Sequence, residues 1–342
     1  MKYSGIGGQA VMEGVMMRNG DKYAIAVRKP DQEIVVEKKD YKGVADSKWN
    51  KVPLVRGVIS FVDSLVLGMS TLMFSASFFE EEEEEQPKKK KGTQAEAKVL
   101  TAEEKKQQEE KAAKKEKAMM TGVMVFAIIL AIAIFMILPY YLSAAFGKVV
   151  DNDTIVAIFE GVVRLVIFIL YIVLISRMKD IQRVFMYHGA EHKCINCIEH
   201  GLDLNVENVR KSSKEHKRCG TSFLVFVVVI SIILYLFIRV DSHALKVVIR
   251  LLLIPVIAGV SFELLRAAGR YDNALMRILS KPGMWMQQLT TKEPDDDMIE
   301  VGIASVEAIF DWKKYQTENF GKVFPEDVAD IVKDQEASVD EP

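Results

Sequence analysis

The chain has 342 residues, half of them hydrophobic, a formal net charge of −2 and three cysteines. That length would allow two ordinary soluble domains, but the apolar residues are gathered in long blocks instead of being spread at strand or helix spacing. A near-neutral balance with interleaved signs excludes a global electrostatic attraction to nucleic acid. An odd number of cysteines set beside histidines argues against a disulfide framework.

The first twenty residues are glycine-rich and mixed, without the basic start and apolar run of a cleavable signal. Residues 23–39 read as two alternating runs joined by Lys-Pro-Asp-Gln, a turn in which proline presets φ, so residues 1–57 are expected to form a small cytosolic domain around a β-hairpin. The preceding GIGGQAVMEGVMMR has glycines suited to tight backbone geometry and lacks the Gly-Lys-Ser/Thr ending of a phosphate loop. Residues 58–79 are apolar enough to cross a membrane. Crossing would leave the Lys- and Arg-containing residues 1–51 outside, and Asp63, Gly68 and several serines dilute the segment. It is read as a re-entrant or interfacial helix. Residues 80–118, a run of Glu, Lys, Gln and Ala poor in aromatics, are expected to be a disordered charged linker.

Four further blocks decide the class. Residues 119–145, 155–176, 221–238 and 245–265 are each near the roughly 20 apolar residues that a hydrocarbon core requires. The turns at 146–154 and 239–244 are too short for a domain, so the blocks pair into transmembrane hairpins over 119–176 and 221–265. The loop at 177–220 carries Arg177, Lys179, Arg183, Lys193, Arg210, Lys211, Lys214, Lys217 and Arg218, and the 266–342 tail opens with Arg266, Arg270, Arg277 and Lys281. The short turns hold only Lys148 and Arg239 beside Asp151, Asp153 and Asp241, so the loop and both termini are expected in the cytoplasm. In the tail, Pro294 and the acids at 295–297 announce an amphipathic helix over 298–312. The fold expected is a polytopic α-helical membrane protein with about four transmembrane helices and a small cytosolic β-containing domain. It sits in the cell membrane with the lipid bilayer as its partner and a homo-oligomer left open.

The chemistry is expected in the central loop. His188 and His192 lie at i and i+4, so one helical face presents both imidazoles to a shared metal. Glu191 beside them could orient or deprotonate a water, and the order H-x-x-E-H is the inverted zinc-protease arrangement. Gly189 weakens the helix there. Cys194 and Cys197 form a C-x-x-C, and with His216 and Cys219 they would satisfy a structural zinc site by ligand type. Both sites cannot draw on the same residues. Within the apolar blocks, Glu160 and Arg164 are one turn apart, and Glu263, late in the last block, is a chemically sensible third metal ligand. His243 stands alone in an outer turn.

Six blocks in order, GGQAVMEGVMMR, VPLVRGVISFVDSLVLGM, DIQRVFMYHGAEHK, HKRCGTSFL, PVIAGVSFELLR and PGMWMQQLTTKEPDDDMIEVGIA, resemble the YqhQ-like bacterial membrane proteins, a family of unknown function sometimes labelled a predicted metal-dependent enzyme. The resemblance covers nearly the whole chain apart from the charged linker and the last residues. It implies a membrane location and, at the matching positions, a site of His188, Glu191, His192, His216, Cys219 and Glu263. Cys194 and Cys197 depart from its pattern, which shifts weight from a structural zinc site to the histidines. Two readings follow. One is a membrane-bound hydrolase using zinc or another divalent transition metal, with Glu191 as general base. The other is a non-enzymatic scaffold or small transporter in which a metal or polar cluster only holds helices together.

Overall fold

The structure, a computed structural model, describes residues 2–43, 48–85, 118–119, 121–238, 240, 242–271 and 273–325. Four strands, β1 (Gly7–Val11), β2 (Gly14–Asn19), β3 (Lys22–Arg28) and β4 (Ile34–Asp40), form an antiparallel meander in chain order. After a short 3-10 turn at Lys48–Lys51, the described residues form the α-helical stretches α1 (Val55–Glu85), α2 (Thr121–Phe146), α3 (Asp153–Ile175), α4 (Lys179–Glu199), α5 (Val206–Lys211), α6 (Gly220–Leu236), α7 (His243–Arg270), α8 (Ala274–Thr290), α9 (Asp296–Ile309) and α10 (Trp312–Phe320). The chain divides into two compact units, one of Met1–Glu83, Ile172–Ile230 and Leu252–Pro342, the other of Glu84–Tyr171 and Ser231–Leu251.

In the first unit the sheet is buried on both faces, and the two-residue period of its side chains sorts them. Val15, Met17 and Ala26 join Tyr187, Ala190, Cys194, Ile198, Met298 and Ile299 from α4 and α9 in one core. Val11, Met16, Tyr23, Ile25 and Val27 meet Leu67 of α1 in another. The expected hairpin is β3–β4. The β1–β2 hairpin in the glycine-rich stretch was not foreseen, because its runs lack polar alternation. Gly14 is needed there: a Cβ would come within 2.3 Å of Ala26 O on the neighbouring strand. Helix α9 begins where the acids announce it, with the Asp295 side chain accepting from Met298 N at 2.9 Å.

Helix α1 runs unbroken over 31 residues. A re-entrant segment reverses its direction, and this one does not. One side of α1 is spent on the sheet. Leu67 is buried there, Gln9 Nε2 donates to Gly68 O at 3.3 Å, Met12 N to Ser75 Oγ at 3.1 Å and Tyr41 OH to Asp63 Oδ1 at 2.9 Å. The other side exposes Val62, Leu65, Val66, Met69, Leu72 and Met73, spaced by threes and fours as one helical stripe.

Four helical stretches are long and apolar enough to cross a membrane: Val55–Phe79, Thr121–Phe146, Asp153–Ile175 and Ala244–Arg270. The number agrees with the sequence expectation, but one member differs. Val55–Phe79 enters, and α6 drops out because its helix stops at Leu236 after 17 residues, about 25 Å at 1.5 Å per residue. The linker expectation for 86–117 lies outside the described residues, whereas Glu80–Glu85 continue α1.

Candidate metal centre

Helix α4 presents His188 and His192 one turn apart, their ring centroids separated by 4.3 Å. The loop between α5 and α6 returns over them and brings Cys219. One ligand atom from each of the three lies within 4.8 Å of the others. His188 Nδ1 is 2.9 Å from Thr290 O and His192 Nδ1 is 2.6 Å from Lys214 O. A carbonyl only accepts, so both Nδ1 atoms carry the proton and both Nε2 lone pairs are left for a ligand. Cys219 Sγ lies 3.1 Å from His188 Nε2 and accepts from Thr221 N at 3.4 Å. His192 and Cys219 are buried, and His188 is the half-buried member that faces an approach.

The loop is held by side chains of α4 and α8. Lys193 Nζ donates to Arg210 O at 2.9 Å and Ser212 O at 2.8 Å and pairs with Glu293 at 2.9 Å. Asn196 Nδ2 reaches Ser213 O at 2.7 Å and Glu215 O at 2.9 Å. Gln287 clamps the backbone of His216 from both sides, accepting from its N and donating to its O, each at 2.8 Å. Gly189 has a steric reason beside the histidines. A Cβ there would lie 2.0 Å from Lys292 O, just past the end of α8, whose last residue supplies the Thr290 carbonyl.

The remaining expected residues lie around this cluster, not in it. His216 is near, with its ring centroid 5.6 Å from that of His192. Its Nε2 accepts from Arg218 Nη2 at 3.3 Å and stands 3.7 Å from Glu199 Oε2, too long for a hydrogen bond but close enough to act electrostatically. Burial pushes the His216 imidazole below its usual value. Burial works to raise Glu199, but contact with His216, the Ser4 amide and Arg218 holds it down at about 2. Glu191 is buried with the Gly8 amide as its backbone partner. Burial raises its carboxyl to about 7 against the opposing influence of His188. Glu263 is engaged by Arg56, with Nε–Oε1 and Nη2–Oε2 distances of 2.6 and 2.5 Å. Cys194 and Cys197 belong to the core between α4, the sheet and α9. Burial lifts both thiols, Cys197 to about 11, which suits packing and not zinc ligation. The side chain of His243 lies outside the described residues.

Sequence reasoning did not anticipate Gln287, Thr290 or the roles of Lys193 and Asn196. The PGMWMQQLTT block marked the region of Gln287 and Thr290 without giving it a task.

The architecture is that of a chain equipped to pass through a membrane several times, with a histidine–cysteine cluster on a connecting segment. The chain belongs to the family of proteins of unknown function DUF1385, whose model matches residues 52–312. It is similar to the uncharacterized protein YqhQ of Bacillus subtilis (strain 168), with 32% identity over 303 residues, 87% of this chain and 90% of that protein. No solved structure matches it.

Proposed function

We propose that this is a multi-pass protein of the bacterial cytoplasmic membrane whose His188, His192 and Cys219 hold a divalent transition metal, zinc first, for a hydrolytic reaction at the cytosolic face. The observation that carries this reading is the convergence of three donor atoms within 4.8 Å, with both histidine Nε2 atoms freed by backbone carbonyls at Nδ1. Two imidazoles and a thiolate fit such an ion by donor type. Held there with a fourth position open, the metal would supply Lewis acidity. The chain's own residues do the rest. Thr290 O and Lys214 O fix the ring tautomers, Thr221 N hydrogen-bonds the Cys219 sulfur, and Glu191 is assigned the proton taken from the attacking water.

Metal analysis of detergent-purified full-length protein tests the centre. Wild type and Glu191→Gln are expected to carry one metal per chain, and His188→Ala none. Wild-type protein that is purified without chelator, holds no metal and gains no thermal stability from added zinc would sink the reading. If Glu191→Gln keeps its metal and also complements a deletion strain as well as wild type, the site is a structural clasp and the scaffold reading replaces the enzyme.

For topology, the basic loop and tail argue for a cytosolic central loop and termini. The two-sided α1 supports an interfacial placement, with the sheet on one side and headgroups against its apolar stripe. The three native cysteines are buried, so single introduced cysteines can be read against them. One at the exposed Asn152 should be labelled from outside intact cells and one at Ser213 should not; the reverse pattern would overturn the orientation.

A further inference from the structure

The second unit contains a cavity of about 870 Å³ that shares no lining residue with the metal centre. It is formed at the ends of α2, α3, α6 and α7 nearest the two short turns, and it lies within the roughly 300–1,000 Å³ typical of small-ligand sites. Arg250, Glu160, Tyr140 and Tyr235 line its interior, and Lys148 and Lys246 add two further cations to its wall.

Its charges do not cancel among the described residues. Glu160, Arg164 and Arg250 are all buried, and the single carboxylate serves both guanidiniums. Arg164 Nη2 donates to Glu160 Oε1 at 2.8 Å, Arg250 Nη2 to Glu160 Oε2 at 2.8 Å, and Arg250 Nη1 is 2.7 Å from Glu160 Oε1. Arg164 is satisfied elsewhere: its Nε donates at 3.1 Å to Phe135 O, in the π turn Ala133–Ile137 of α2, and its Nη1 is 3.3 Å from Ser231 Oγ. Arg250 is different. The residue is only 4% exposed, yet Nε has no hydrogen-bond partner among the described residues. Its guanidinium lies against Tyr140 and Tyr235, 4.7 and 4.9 Å from their ring centroids, which fixes its plane.

Two buried cations against one buried anion leave an excess positive charge, and an isolated buried charge costs several kcal/mol unless something answers it. A guanidinium with an unused donor answers oxyanions best, because its fork matches their geometry. Among the lining residues three cations, Arg250, Lys148 and Lys246, face two carboxylates, Glu160 and Asp153, and Glu160 is already shared with Arg164, so positive charge remains in excess, and a phosphate offers several acceptor oxygens to meet it. We propose that this cavity binds the phosphate of an anionic ligand, with Arg250 as the buried anchor and Lys148 and Lys246 as outer contacts.

The phosphate could come from a lipid headgroup or from a soluble phosphoester, and one experiment separates them. Delipidated full-length protein in neutral detergent is titrated with dioleoylphosphatidylglycerol, with dioleoylphosphatidylcholine, and with sn-glycerol 3-phosphate, while thermal unfolding is followed. A rise in Tm with phosphatidylglycerol but not with the other two identifies a lipid headgroup. A rise with glycerol phosphate as well identifies the soluble group. In either case Arg250→Gln should weaken the half-maximal concentration about ten- to hundredfold, the loss expected for a hydrogen bond to a charged group. Because Arg250→Gln also disturbs Glu160, the double variant Lys148→Ala/Lys246→Ala, which spares the buried trio, should give at least a tenfold weakening in a normally folded chain. No shift with either anion, an equal shift with phosphatidylcholine, or full retention in the double variant would overturn the proposal.

Discussion

The two polar centres meet the cost of burial in opposite ways. At His188 and His192 the polar atoms are ring nitrogens whose partners are backbone carbonyls, Thr290 O and Lys214 O. At Glu160, Arg164 and Arg250 they are ions, and the chief partner of each ion is another ion. A centre with backbone partners keeps lone pairs available and loses little when one member goes. A charged centre built from side chains creates a field, and removing one member strands the others.

That contrast can be broken by measurement. The largest effect should come from Glu160→Gln, which leaves two buried guanidiniums without a carboxylate. The loss expected is about 3–5 kcal/mol by unfolding in detergent, and a loss under about 1 kcal/mol would end the comparison.

Next is an ion pair in the first unit with a fully buried carboxylate, Glu199 with Arg218. Its carboxyl falls from an ordinary 4.5 to about 2 in the fold. The stabilisation is therefore complete above about pH 4.5 and drains away as pH falls toward 2, about 3 kcal/mol in all. Wild type should lose this margin over Glu199→Gln in that window; parallel curves would refute it.

Zinc at a hundredfold excess over its Kd should stabilise wild type by about 2.7 kcal/mol. The same zinc should leave His188→Ala and His192→Ala unmoved. Gly189→Ala must push Lys292 O away, for about 1–3 kcal/mol, with metal content falling as Thr290 O shifts. Smallest is His188→Ala without metal, which removes the hydrogen bond to Thr290 O and the weaker contact with Cys219 Sγ, about 1 kcal/mol by melting. A cost as large as that of Glu160→Gln would end the contrast between the two centres.

What could be read from the sequence follows the same division. The i, i+4 histidines, the β3–β4 hairpin and the start of α9 are local patterns, and local spacing decides them. Cys219 was reachable as a candidate because the loop is short. Gln287, Thr290 and Arg250 were not, since each acquires its role from a partner distant in the chain: Gln287 from His216, Thr290 from His188, Arg250 from Glu160. Glu263 looked like a ligand because of its depth near the end of an apolar block, but Arg56, just before the expected α1 segment, meets it first. The β1–β2 hairpin escaped because its glycines answer to a neighbouring backbone, which no alternation of side chains records.

The sheet's two cores also impose an order of assembly. Strands β1 to β4 precede their covering helices in the chain: one face waits for α1 and the other for α4 and α9, the last of which begins at Asp296. Synthesis at about 5–20 residues per second puts roughly ten seconds to a minute between β4 and its final cover. During that interval Val15, Met17 and Ala26 have no α9 to shield them. The strands thus emerge before every helix that covers them and are finished late, and that interval is when a chaperone, or a second nascent chain, would find them open.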